Sequence, residues 1–151
     1  MLRKANISDA KKIKKLISFW AKKEKVLDKS LNYIYENIRD FWVYEDKRKI
    51  IGIAALHIVG WQSLAEIKSL VVEKKYHKKG IGKKIVFACI KEAKSLKVEN
   101  VFALTFVADF FIKLGFKKIN KYKLPHKIWS ECINCSCFPD CKEEALFLKI
   151  K

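Results

Sequence analysis

Glu66 and Lys68 stand two residues apart in LAEIKSLVV (64–72), a carboxylate and an ammonium among aliphatic neighbours. Strand alternation puts Leu64, Glu66, Lys68, Leu70 and Val72 on one face and Ala65, Ile67, Ser69 and Val71 on the other. Two arrangements fit that spacing: an exposed ion pair on a half-solvated strand, or a cleft wall carrying a base and a cation. Directly downstream, VVEKKYHKKGIGKK (71–84) passes through a run of cations to Gly80-Ile81-Gly82, where a helix begins. The first-turn amides of a helix lack intrahelical acceptors, and the positive end of the dipole lies behind them. Paired glycines let a ligand approach the backbone closely, and Lys78, Lys79, Lys83 and Lys84 add charge, so the junction suits a pyrophosphate. The alternative is an ordinary solvated turn. Two familiar phosphate motifs are excluded: no glycine precedes Gly82 at the P-loop distance, and Ile85 occupies the third-glycine place of the dinucleotide fingerprint.

The elements that must hold these groups follow from periodicity. Leu2–Ala5 reads as a short strand, and Ser8-Asp9 as the cap of a helix from about Ala10 to Lys25, with Ile13, Leu16, Ile17 and Trp20 on its apolar stripe. Ser30 can cap a second helix carrying Leu31, Ile34, Tyr35 and Ile38. FWVYE and KIIGIAALHIV are strands joined by the polar turn Asp46–Lys49, and LAEIKSLVV is the next. A helix from Gly80 to Leu96 carries Ile81, Ile85, Cys89, Ala93 and Leu96 on one stripe. NVFAL is a strand, DFFIKL a short helix stopped by Gly115, FKKI a strand, and EALFLKI the last strand. Helices falling between strands predict a mixed α/β fold, a central sheet covered by helices on both faces.

The 151 residues fit a single domain, 1–151, and half of them are hydrophobic. The apolar run from Ile50 to Trp61 is too short to span a bilayer, and the first residues show no apolar signal core, so a soluble cytoplasmic protein with no membrane partner is expected. The formal charge of +17 raises nucleic acid as a partner. Yet only Arg3, Arg39 and Arg48 are arginines, and the other 30 of 33 basic residues are lysines scattered along the chain. Base reading and bidentate phosphate recognition favour arginine, so nucleic acid is disfavoured, while a basic field still attracts small anions.

Cys132, Cys135, Cys137 and Cys141 fall within ten residues, 132–141, whereas Cys89 lies on a helix stripe and reads as core. The Cys-x-x-Cys start resembles a zinc knuckle, with His126 as a further ligand, but a second knuckle is absent. Packed thiols or a disulfide are favoured over zinc, and no His pairs with these cysteines as a catalytic nucleophile would need. His57, in an apolar strand, reads as a satisfied core histidine. His77 either contacts phosphate or fills a turn.

SLVVEKKYHKKGIGKKI resembles the acetyl-CoA-binding segment of the GNAT acetyltransferases, with the motif Arg/Gln-x-x-Gly-x-Gly/Ala: His77 takes the Arg/Gln place, and Gly80 and Gly82 match. FWVYED, GIAALHI, LAEIKSLVV, FFIKLGF and LPHKIWSECINCSCFPDCKEEAL, spread over residues 41–148, are similar to the short single-domain N-acetylglutamate synthases. That family shows the positions of Cys132, Cys135 and Cys141 without Cys137. The resemblance implies the GNAT fold, a mostly antiparallel mixed sheet with splayed fourth and fifth strands, and attack of an amine on the acetyl-CoA thioester. It implies Glu66 as general base, a backbone amide near Leu70 or Val71 for the oxyanion, and pantetheine pairing with Leu70, Val71 and Val72. The cofactor loop would be His77, Lys78, Lys79, Gly80, Ile81, Gly82 and Lys83.

One departure stands out. Where many members of the superfamily have a tyrosine acid, four residues before the glycine of LGF, this chain has Phe111, which reads as core or cofactor wall. Water, Tyr76 or Tyr122 would then protonate the thiolate, or no acid is needed. For a glutamate acceptor, Lys29, Lys68 and Lys127 are the implied carboxylate partners. The implied function is acetyl-CoA-dependent acetylation of the α-amine of L-glutamate, for arginine biosynthesis. The alternatives are another small amine, a protein N-terminus, or a basic nucleic-acid module; a homodimer is left open.

Overall fold

The computed structural model describes residues 1–60, 63–120, 124 and 143–150. In chain order its elements are β1 (Leu2–Lys4), α1 (Ala10–Ala21), α2 (Leu31–Glu36), β2 (Phe41–Asp46), β3 (Lys49–Val59), β4 (Leu64–Val72), α3 (Ile81–Ser95), β5 (Asn100–Thr105), α4 (Ala108–Lys113), β6 (Lys117–Ile119) and β7 (Glu144–Lys149). The strands form a seven-stranded sheet of order β1-β2-β3-β4-β5-β7-β6. β1–β2, β2–β3, β5–β7 and β6–β7 pair antiparallel and β4–β5 parallel, giving the mixed, mostly antiparallel sheet expected. The β4–β5 register runs from Leu64–Asn100 to Glu66–Phe102. Among the described residues no helix is long and apolar enough to cross a membrane.

Two compact units divide the chain, Met1–His57 with Ile67–Glu92, and Ile58–Glu66 with Ala93–Lys151. In the first, Ala10, Ile13 and Ile17 of α1 and Ile34 of α2 pack on Phe41, Val43, Ile53, Ala55 and Val71. The opposite face of these strands carries α3. A Cβ built on Gly52 would lie 3.0 Å from Ile85 Cδ1 and 3.3 Å from Ile81 Cγ2, so any larger residue would make these side chains give by a few tenths of an ångström. Within this unit, then, helices cover both faces, as the alternation of elements predicts.

The entry and exit of α1 differ from expectation. Asp9 holds the N-cap position of α1, as expected, but its side chain caps no amide of that helix. A 3-10 turn, Ile7–Asp9, leads in and is capped by Asn6, whose side chain accepts the Ser8 N–H while the Asp9 carboxylate accepts the Asn6 N–H at 2.8 Å. The helix stops at Ala21 rather than Lys25. Glu24 adopts a left-handed φ of 57°, its N–H bonds Ala21 O, and the Lys25 N–H returns to Trp20 O. Past Ala21 the chain offers only Lys22, Lys23, Glu24 and Lys25, with nothing to bury, so the closing turn forms as soon as apolar side chains run out. The α2 cap is as expected, with Ser30 Oγ accepting the Tyr33 N–H at 3.0 Å.

The second unit has its own core of Leu64, Phe102, Leu124 and Ala145, flanked by Val59, Leu104, Ile119 and Phe147. Gly115, at φ 101°, ends α4 as predicted: its N–H bonds Ile112 O, and the Phe116 N–H reaches Phe111 O.

Candidate active site

The geometry of the site begins with a break in β4. Ser69 has φ 56°, a left-handed residue inside a strand, where an L side chain costs about 1–2 kcal/mol. The extra residue reverses the alternation downstream of it. Lys68 reaches the ring of Tyr33 on α2, which packs on the same cluster as Val71. Val72 instead lies on the α3 face, 3.4 Å from the Cβ position of Gly52. Strict alternation predicts Val72 beside Lys68, and Val71 opposite; the structure reverses both, because the chain turns left-handed at Ser69.

Glu66 and Lys68 are almost fully removed from solvent, 3% and 9% exposed, which excludes the exposed ion pair. Lys68 Nζ lies 5.2 Å from the Tyr33 ring centroid, and Lys29 Nζ lies 4.8 Å from the same centroid. Two of the three lysines implied for the acceptor therefore meet at one aromatic ring. The loop carrying Lys29 is fastened to α1: Lys14 Nζ donates to Asp28 Oδ1 and to Lys29 O, Ser18 Oγ donates to Asp28, and the Lys29 N–H donates to Asp28. The Lys14 ammonium holds the Asp28 carboxyl below its ordinary range. Tyr33 escapes a sequence reading because it lies off the apolar stripe given for α2 and no motif marks it; only the fold shows two cations converging on it.

After Val72 the chain turns through residues 73–80 into α3. Lys78 and Gly80 are left-handed, at φ 63° and 79°, and a Cβ on Gly80 would meet no protein atom within 4 Å. The ladder of α3 opens with the Lys84 N–H donating to Gly80 O, so the amides of Ile81, Gly82 and Lys83 precede it. Successive amides at left-handed residues before a helix N-terminus form an anion-binding concavity. This backbone fits a diphosphate. The loop's cations partly cover neighbouring rings: Lys75 and Lys79 lie over Tyr76, Lys83 over Phe87 and Lys84 over Tyr44. His77 Nε2 bonds Val72 O at 2.7 Å, and its ring stacks on Trp20, centroids 5.4 Å apart and planes 16° apart.

The remaining candidates fall outside this arrangement. Tyr76 donates to Asp46 at 3.3 Å, and burial together with that carboxylate raises its phenol pKa, making it a poorer acid. His57 bonds Asp40 at 2.7 Å but is half-buried, so it is a satisfied histidine at the margin of the core rather than within it. Cys89 is fully buried, and burial, then Glu92, pushes its thiol up to about 12. In the second unit, Phe111 is buried edge-on against Phe110 and Phe116, the core alternative of the two expected for it. Lys127, Tyr122, His126 and the cysteines at 132, 135, 137 and 141 lie outside the described residues.

The acetyltransferase (GNAT) domain model matches residues 37–118. An uncharacterized N-acetyltransferase of Chlorobaculum tepidum is 36% identical over 145 residues, 96% of this chain and 93% of that protein. The amino-acid acetyltransferase of Mycobacterium tuberculosis is 34% identical over 134 residues, 87% of this chain and 76% of that protein. Among solved structures, an M. tuberculosis protein in complex with CoA superposes with a TM-score of 0.85 at 29% identity, covering 100% of this chain and 99% of that one. The N-acetylglutamate synthase of Neisseria gonorrhoeae, complexed with coenzyme A and N-acetyl-glutamate, has a TM-score of 0.91 at 22% identity, a likeness of fold. The match covers all of this chain but 35% of that one. The chain belongs to the GNAT acetyltransferase family. It is an N-acetyltransferase with acetyl-CoA as acetyl donor.

Proposed function

We propose that the acceptor is the α-amine of an amino acid carrying a side-chain carboxylate, L-glutamate, and that the product, N-acetylglutamate, enters arginine biosynthesis in the cytoplasm. The observation that carries this reading is the meeting of Lys29 and Lys68 at the Tyr33 ring, with Lys68 one strand step from the buried Glu66. An acceptor with two carboxylates needs two cations. The names of the M. tuberculosis and N. gonorrhoeae relatives support the same acceptor class.

In this reading Glu66 takes the ammonium proton, directly or through a water, and frees the nitrogen lone pair. A backbone amide at Leu70 or Val71, reoriented by the left-handed Ser69, donates to the oxyanion. The amides of Ile81–Lys83 and the loop lysines hold the diphosphate of the donor, whose pantetheine arm pairs with β4 at Leu70–Val72. The coenzyme A thiolate leaves into a field of lysines and needs no protein acid.

The deciding experiment follows thiol release with a panel of amines at fixed acetyl-CoA. Glutamate is expected to give the highest kcat/KM. A higher value for an amine without a side-chain carboxylate, or for a peptide N-terminus, overturns the assignment. Glu66→Gln should lower turnover about a hundredfold or more, most steeply at low pH where the amine is hardest to deprotonate; an unchanged rate removes Glu66 from the chemistry.

A further inference from the structure

The residue at the head of the glycine loop, His77, is exposed, yet one ring nitrogen and one ring face are engaged by protein. Nε2 bonds Val72 O, the last residue of β4, and the ring face stacks on Trp20 from α1. Trp20 in turn packs on the core cluster of α1, α2 and the strands. Its Nε1 is buried and meets no acceptor among the described residues, so packing and the stack, not a hydrogen bond, set the orientation of the indole.

The loop needs such a brace. Lys74, Lys75, Lys78, Lys79, Lys83 and Lys84 crowd into eleven positions around two left-handed residues, and like charges push them apart until an anion arrives. A loop that must be ordered by its ligand gives up affinity; one already ordered does not. Tyr76, donating to Asp46, ties one side of the loop, and His77, held by Val72 and Trp20, ties the other.

We infer that Trp20, acting through the stacked ring of His77, is a positioning residue for the acetyl donor: the pair holds the 77–83 loop in its anion-receiving shape before the ligand binds. This rests on the reading that the loop seats the diphosphate, and it is independent of which amine is the acceptor. Trp20 touches neither substrate nor reacting atoms.

The test is the affinity for coenzyme A by calorimetry, together with steady-state kinetics, for His77→Ala, Trp20→Leu, Trp20→Phe and the double variant His77→Ala/Trp20→Leu. His77→Ala is expected to weaken coenzyme A binding about five- to tenfold and to raise KM for acetyl-CoA in parallel, with kcat and acceptor KM moving less than about twofold. Trp20→Leu should do the same and add almost nothing in the His77→Ala background, and Trp20→Phe, which keeps a ring, should restore most of the affinity. Should Trp20→Leu fail to fold, the exposed His77→Ala still decides: wild-type coenzyme A affinity overturns the inference, as do additive effects of the two substitutions. Gly80→Val separates the levels. If it abolishes coenzyme A binding while the His77 and Trp20 variants bind normally, only the brace is wrong; if it too binds normally, the loop does not seat the diphosphate.

Discussion

Replacing Lys68 with methionine keeps the length of a side chain that is 9% exposed and deletes its charge. If its ammonium faces an acceptor carboxylate, the lost interaction is a hydrogen bond between charged partners shielded from water, about 1.5–3 kcal/mol. At roughly 1.4 kcal/mol per decade, kcat/KM for glutamate should fall about 10- to 150-fold. Lys29 sits at the same ring but is half-buried, so water competes for its charge, and Lys29→Met should cost at most about fivefold. The assay is thiol release with a chromogenic disulfide, run with glutamate and with an alkylamine of similar length that has no carboxylate. For the alkylamine, Lys68→Met and the parent enzyme should agree within about twofold, and calorimetry should give equal coenzyme A affinities. An equal loss with both acceptors would make Lys68 a structural cation under Tyr33; no loss with either would remove it from acceptor recognition.

The other expectations concern stability and reactivity. Glu24 closes α1 at φ 57°, so Glu24→Gly should gain about 1 kcal/mol and raise the melting temperature by roughly 2–4 °C; a fall would mean that the glutamate side chain matters there. Cys89, buried with its thiol at about 12, should resist alkylation in the native enzyme at neutral pH and label only on unfolding, and rapid native labelling would contradict its placement. Asp9 is held below its ordinary 3.8 by the Arg3 guanidinium at 2.8 Å, against the opposing effect of burial. Its contribution is complete above the unfolded value and is lost as pH falls from about 4 through the depressed folded value, so Asp9→Asn should flatten the acid limb of stability against pH, measured by denaturant titration.

Much of this was legible because it rests on short-range rules. The glycine pair at a strand-to-helix junction, the Ser30 cap, the Gly115 stop and the strand LAEIKSLVV each declare themselves through local chemistry. The departures arise where a local rule met a contact that sequence does not display. Asp9 takes the N-cap position of α1 that local rules give it, but its carboxylate is drawn back to Asn6, which caps the short 3-10 turn that periodicity does not reveal. Helical periodicity puts Trp20 on the α1 stripe and leaves Tyr33 off the α2 stripe, and in neither case does it show the histidine or the lysines that meet the ring. Lys29 and Lys68 were implied by family likeness, and their convergence needed α2 to dock beside β4.

The left-handed serine of β4 has a consequence beyond the faces it exchanges. Excise Ser69, and Lys68 would be followed directly by Leu70, Val71 and Val72 in unbroken alternation, with Lys68 and Val71 still turned toward α1 and α2 and Val72 still toward α3. Burial alone would be served by the shorter strand. In the proposed mechanism the additional residue acts through main-chain atoms, by turning the peptide groups at 70 and 71 out of a continuous pleat. An excised variant should fold at least as firmly as its parent while losing turnover, separating a demand of chemistry from a demand of packing within nine consecutive residues.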